Sequence, residues 1–259
     1  MPPARAGHPA HRKGAMMLRP LLTTALYRST AMRAGFARGL SAKWLELTSL
    51  RRFLTKHRIN LVLDVGANEG QFAAKLRRLG FGGRIVSFEP DPRAYTRLVE
   101  RHGHDRGWHG YPVGLGDADT EALFHLAENP LLSSFLSAIH PSVCKRVRVP
   151  IRRLDGMLAG ILHDIAAPRV FLKTDTQGFD LHVLRGAGGC LDAIIGILAE
   201  ISVIPIYEQS PTFHEAVQAY QDAGFDIVDL GLVNRTVDGR VLEFDGLFVR
   251  RPLAAKDDE

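Results

Sequence analysis

The chain has 259 residues, 46% of them hydrophobic, and a formal net charge of +5. This length and hydrophobic content suit one large α/β domain with a short appendage, and exclude a disordered or fibrous chain. Two cysteines without metal-ligand spacing, Cys144 and Cys190, exclude a disulfide scaffold and fit a reducing cytoplasm, and no apolar run is long enough to span a bilayer.

The charge is unevenly spread. Residues 1–45 are a basic extension with Arg5, Arg12, Lys13, Arg19, Arg28, Arg33, Arg38 and Lys43 and no acid. The remaining body is therefore slightly acidic, the opposite of a nucleic-acid-binding surface. Three readings of the extension stay open: a partly disordered, partly helical start; a peripheral membrane contact, since Leu18, Leu21, Leu22, Leu26, Phe36, Leu40 and Trp44 interleave with arginines; or a targeting peptide.

From residue 44 the elements follow in order. Leu47, Leu50, Phe53 and Leu54 recur at helical spacing over 44–57. Residues 61–65 read as a first strand. Residues 69–79 read as a helix stopped by Gly80 to Gly83, and 84–88 as a second strand. A helix over 91–101 and a third strand from His109 to Val113 complete a β-α-β-α-β run, which implies a parallel sheet with right-handed crossovers. Residues 118–156 break the rhythm. Ala122 to Leu126 and Val147 to Ile151 are strand-like and flank an irregular segment, which predicts an antiparallel insertion with a loop near the site. The sheet then resumes with a strand at Arg169 to Thr174, a helix near Phe179 to Arg185 and a strand at Ile194 to Ile201. A helix over Thr212 to Ala223 follows, then strands at Phe225 to Leu230 and Gly246 to Arg250 joined through an Asp238-Gly239 turn. The expectation is a seven-stranded, mostly parallel Rossmann-like sheet with helices on both faces, spanning residues 46–252, and a charged tail over 253–259.

The most informative stretch is Leu61 to Gly70, Leu-Val-Leu-Asp-Val-Gly-Ala-Asn-Glu-Gly, answered at 85–90 by Ile-Val-Ser-Phe-Glu-Pro. A strand enters a glycine-bearing turn, and the next strand ends on an acid placed to accept from two ribose hydroxyls. The dinucleotide fingerprint fails, because Asn68 and Gln71 stand where it needs glycine, and no phosphate-loop Gly-Lys-Ser/Thr follows. An acid at Asp64 would repel a pyrophosphate but suits the cationic ammonium and sulfonium of S-adenosylmethionine. Asp64, Gly66, Asn68 and Gly70 are assigned to that cofactor's turn and Glu89 to its ribose. Asp91 behind Pro90 also reads as ordinary helix-start chemistry.

Four motifs in order, Asp-Val-Gly-Ala-Asn-Glu-Gly-Gln-Phe, Phe-Glu-Pro-Asp-Pro, Gly-Leu-Gly-Asp at 114–117 and Leu-Lys-Thr-Asp-Thr-Gln-Gly-Phe-Asp at 172–180, resemble the FkbM family of S-adenosylmethionine-dependent O-methyltransferases. The resemblance runs from about residue 60 to 250. It implies methyl transfer to a hydroxyl of a sugar, glycolipid or polyketide-like molecule. Asp117 is placed to accept from the adenine amino group, or is a plain turn aspartate. The family pattern also has paired serines near Ser133 and Ser134, which implies contact with cofactor or acceptor; Ser134 is counted with the cofactor residues.

Catalysis needs a base beside the sulfonium. Lys173 and Asp175 lie on one face of a strand end, two residues apart, and Glu200 ends the neighbouring strand. Asp175 is the candidate base with Lys173 positioning it or the substrate, against the alternative of a structural ion pair. Asp175 with Glu200 could hold Mg²⁺, although no further ligand stands at an obvious spacing. The chain departs from the family at Gln177 and Asp180, where glutamates are common. A neutral amide cannot act as a base. His140 is a base by chemistry but reads equally as a loop residue. The competing function is a non-catalytic cofactor-binding protein of the same fold. An amino-group methyltransferase is disfavoured by the missing Asn/Asp-Pro-Pro-Tyr/Phe tetrapeptide. Homo-oligomerisation is left open.

Overall fold

The computed structural model describes residues 45–139 and 143–252. The basic leader up to residue 44 with its membrane and targeting readings, His140, and the tail from 253 lie outside the described residues.

Helix α1 (45–56) leads into β1 (Leu61–Val65), α2 (Gln71–Arg78), β2 (Arg84–Phe88), α3 (Pro92–His102) and β3 (Trp108–Tyr111). Short β4 (Gly114–Leu115), β5 (Thr120–Ala127) and β6 (Val143–Arg152) follow. Then come α4 (Leu154–Leu162), β7 (Val170–Thr174), α5 (Asp180–Gly186), β8 (Ile194–Ser202), α6 (Phe213–Asp222), β9 (Phe225–Arg235) and β10 (Val241–Arg250). The large sheet has seven strands in the order β3-β2-β1-β7-β8-β10-β9. All neighbours are parallel up to β8, and β10 runs antiparallel to both β8 and β9. The strand order reverses between β1 and β7. Their carboxyl ends therefore open a crevice, the usual ligand position in such sheets.

Period-two alternation along buried strands separates two cores. Leu61, Leu63 and Val65 of β1 and Val170 and Leu172 of β7 face the side covered by α4, α5 and α6, where Leu158, Val183, Leu184 and Tyr220 pack. Val62, Ile85 and Phe171 face the other side, against Leu50, Phe53 and Leu54 of α1 and Phe72, Ala73 and Leu76 of α2. Helix starts follow local chemistry. Asp91 caps α3 by accepting from the Arg93 N–H at 2.8 Å, ahead of Pro92. Thr212 and Glu215 form a capping box on α6.

The insertion forms its own sheet, β4-β6-β5, with β5 antiparallel to β6 as expected and β4 added in parallel. Its small core of Phe124, Leu126 and Val149 packs on Phe135 and Val147. The structure differs from expectation in detail. The insertion's second strand reaches Arg152, and α4 follows at once, a helix the sequence reading left out. Its run Leu-Asp-Gly-Met-Leu-Ala-Gly-Ile-Leu holds two glycines and begins at Arg153 without a side-chain cap, so the usual start signals are missing. The third strand ends two residues earlier than expected, because the chain leaves the large sheet to form β4. The closing hairpin is longer, since β9 continues to Arg235.

Candidate active site

The turn after β1 has Gly66 at φ 73°, in the left-handed region. A Cβ there would lie 1.9 Å from the Asp175 carbonyl oxygen, so only glycine lets the β1 turn meet the β7 tip. Gly66 and Ala67 donate their N–H groups to the Phe88 carbonyl at 3.0 and 3.1 Å, which locks this turn to the end of β2. Glu89 follows, 5% exposed. Its Oε2 accepts the Asn68 N–H and its Oε1 the Asp91 N–H, each at 2.7 Å. Each oxygen keeps a lone pair for a further donor. Burial pushes the Glu89 carboxyl up to about 7, and the two N–H groups pull it the other way.

Gly66, Asn68, Glu89, Asp175, Thr176 and Gln177 share the wall of one pocket of about 550 Å³, part of it open to solvent. Its apolar wall comes from Phe88, Pro90 and Leu115 and from the insertion through Phe124, Leu131 and Phe135.

Beneath the polar wall, Lys173 is buried. Its Nζ donates to the Gly66 carbonyl at 3.1 Å and lies 3.3 Å from Asp64 Oδ1 and 3.4 Å from Asp175 Oδ2. Burial disfavours its charge, but Asp175 and Asp64 together outweigh this and raise its pKa above the ordinary lysine value. Lys173 is therefore a fixed cation between two carboxylates. Asp64 is wholly buried, and burial pushes its carboxyl upward against the pull of Lys173.

Beside Asp175 stands Gln177, at φ 54°. Its Nε2 donates to Asp175 Oδ1 at 3.1 Å and to Glu200 Oε1 at 2.9 Å, and the Tyr207 hydroxyl donates to its Oε1 at 3.0 Å. Burial, together with Asp175, Glu243, Asp180 and Asp245, pushes the Glu200 carboxyl up to about 10. Burial and Asp175 likewise push Asp180 up to about 6. At neutral pH Glu200 is thus a neutral acid and cannot take a proton.

Of the residues expected from sequence, Gly66, Asn68, Glu89 and Asp175 meet at the pocket. Asp64 and Lys173 lie under it and Glu200 behind Gln177. Ser134 is buried and donates to the Gln177 carbonyl at 2.9 Å, while its neighbour Ser133 is on the wall. Gly70 starts α2, where a Cβ would lie 2.4 Å from the His102 ring, so its role there is helix packing. The Asp117 carboxylate is engaged away from the wall, 2.8 Å from His182 Nδ1 and 3.3 Å from Arg185 Nε. Among the described residues no three His, Cys, Asp or Glu side chains form a group able to hold a metal ion. No described helix is long and apolar enough to cross a membrane. Phe124, Phe135 and Leu131 were not foreseen, and only the unusual length of the insertion pointed to them; nothing in the sequence pointed to Tyr207 in the loop after β8.

Likeness to solved structures is distant. Magnesium protoporphyrin IX methyltransferase from Synechocystis PCC 6803 with bound SAM shares 9% identity over 82% of this chain and 81% of its own, with a TM-score of 0.45. Precorrin-6y C5,15-methyltransferase from Geobacter metallireducens GS-15 shares 14% over 79% and 88%, at 0.42. Aeropyrum pernix fibrillarin with natively bound S-adenosyl-L-methionine shares 14% over 73% and 66%, also at 0.42. No curated protein matches the sequence significantly. The Methyltransferase FkbM domain family matches residues 64–227, from the acid of β1 through the insertion and the β7 and β8 tips into β9. The chain belongs to that family and is a methyltransferase.

Proposed function

We propose that the protein transfers the methyl group of S-adenosylmethionine to a hydroxyl of a small acceptor of the sugar, glycolipid or polyketide type. The observation that carries this reading is the pocket in which Glu89 and Asp175 face one space from the tips of β2 and β7, on either side of β1, with an apolar wall beside them. That donor set fits the cofactor. The two free lone pairs of Glu89 suit a ribose diol, the Phe88, Leu115 and Phe135 wall suits a flat base, and the carboxylates suit a cationic arm. When bound, the cofactor supplies an electrophilic methyl on a positively charged sulfur.

The protein's own part is alignment and proton removal. Alignment contributes several kcal/mol in well-oriented reactions. Asp175 is the base in this reading. It reaches the pocket, one oxygen is held by Lys173 and the other by Gln177, and it accepts the hydroxyl proton of the acceptor. Such a base contributes about 10²–10⁴ in rate. Glu200, held neutral by its surroundings, is not the base, and Lys173 positions Asp175. Asp64 supports Lys173 from below, and Ser134 supports the turn at Gln177. A bound Mg²⁺ is not needed by this scheme, and the donor arrangement does not favour one. The slightly acidic body supports a small-molecule acceptor over nucleic acid.

Calorimetry with S-adenosylmethionine and with NAD tests the cofactor; binding of NAD alone would refute the reading. Labelled methyl transfer onto rhamnosides, fucosides, mannosides and cell glycolipids tests the acceptor class. Asp175→Asn is expected to abolish turnover and leave cofactor affinity within about threefold. Full activity in that variant would remove Asp175 from the scheme.

A further inference from the structure

Gln177 stands in strained backbone for a residue with a side chain, and Gly178 after it is also left-handed at φ 88°. Strain of this kind persists where the surroundings impose it, and it gathers at functional sites. Here the turn brings the Gln177 side chain back against the strand tips. One carboxamide then makes three hydrogen bonds: two donated by Nε2 to carboxylates of different strands, and one accepted by Oε1 from Tyr207. The reverse orientation would set an oxygen against the Asp175 carboxylate, so the amide has one favourable placement. Its own carbonyl accepts from Ser134 of the insertion.

The partners lead outward to the insertion, which lines the pocket, and to the loop after β8. The Tyr207 hydroxyl is also 3.0 Å from the Leu132 carbonyl oxygen, at the insertion. The Glu208 N–H donates to the Ser137 carbonyl at 2.8 Å and the Ile139 N–H to the Ile206 carbonyl at 3.0 Å, which joins the loop after β8 to the insertion. The Leu136 N–H donates to Ser134 Oγ at 3.0 Å.

The geometry points to Gln177 as a positioning residue that ties the two strand-tip acids to the insertion lining the pocket and to the loop after β8 that braces it, so that Asp175 and the apolar wall are held in one arrangement. This deepens the methyl-transfer reading and rests on it for its consequence in turnover; the tie itself does not. A glutamate at 177 would set a second carboxylate against Asp175 and donate nothing to it when ionised. The amide therefore matches Asp175, to which it donates.

Hydrogen exchange on the full chain tests the tie without an acceptor. Tyr207→Phe leaves the backbone alone and serves as the control, because Gln177→Gly removes the side chain but also frees the main chain. In Gln177→Gly, exchange of the Leu136, Ile139 and Glu208 amides is expected to rise about tenfold, the loss of one hydrogen bond to a charged group, while β1 and β2 stay protected. Gln177→Glu should raise exchange at the same amides at neutral pH and less so as pH falls and the new carboxyl gains a proton. Tyr207→Phe, which keeps the ring, should give a smaller rise and decides the matter if Gln177→Gly does not fold. Unchanged exchange in folded Gln177→Gly, or in Tyr207→Phe where only that variant folds, would overturn the proposal. Calorimetry of the wild-type chain with S-adenosylmethionine is run alongside. Failure to bind there would sink the cofactor reading and leave the exchange contrast intact. Where transfer is measurable, Gln177→Gly should lower kcat about tenfold with cofactor affinity within about threefold.

Discussion

The tip of β2 and the tips of β7 and β8 hold their acids in opposite ways. On the first, Glu89 is met by two backbone N–H groups that the fold itself delivers. On the second, Asp175 and Glu200 are met by side chains, Lys173 and Gln177, and Glu200 by a proton as well. A site held by backbone survives substitution of its neighbours. A site held by side chains can be retuned by one change.

The largest effect is expected where the two sides touch. Gly66→Ala would press a Cβ onto the Asp175 carbonyl oxygen and force alanine into left-handed backbone. Both partners are main chain, so no rotamer change relieves the contact. A loss of about 3–5 kcal/mol in chemical denaturation is expected, at the upper end for point substitutions. A loss under about 1 kcal/mol would mean that the two halves are not locked together at this point.

The next test keeps to the backbone-held side. Glu89→Ala strands the Asn68 and Asp91 N–H groups and removes the diol acceptor, so cofactor affinity should weaken about tenfold to a hundredfold in calorimetry. The wild type should show a pH signature. The folded value of about 7 lies above the ordinary 4.5, so between these limits the folded chain holds a proton that the unfolded chain releases. Cofactor binding favours the ionised acid. Affinity should therefore rise as pH climbs through about 7, and stability from this group should fall over the same window. Affinity that is flat from pH 6 to 8 would contradict the role given to Glu89.

The same contrast explains what could be read from the sequence. The β1 turn and the Glu89 strand end were legible because glycine and an acid at fixed spacing are local signals of backbone geometry. The helix start at Asp91 was legible for the same reason. Long-range side-chain meetings leave no local trace. Tyr207 lies 30 positions from Gln177, and Phe135 reaches the pocket only because the insertion folds over it. Lys173 beside Asp175 was visible, but its second partner Asp64 depends on the register of β1 with β7. Helix α4 was missed because its glycines and its uncapped start hide a buried Leu154, Leu158, Ile161 face.

The last test leaves turnover at neutral pH nearly untouched and is the most diagnostic for the side-chain-held half. Glu200 carries a folded value of about 10 against an ordinary 4.5, chiefly through burial and then through Asp175. The stability it contributes is fully present below the unfolded value and is lost as pH rises through the folded one. Glutamine at 200 keeps an acceptor for Gln177 Nε2 and has no proton to lose. Glu200→Gln and wild type should therefore melt alike near pH 4.5, and the variant should become progressively the more stable as pH climbs toward 9. Turnover should be little changed at neutral pH, because the wild-type group is already neutral there. Parallel melting curves across that range would mean that Glu200 ionises freely. Gln177 would then bridge two charged acids.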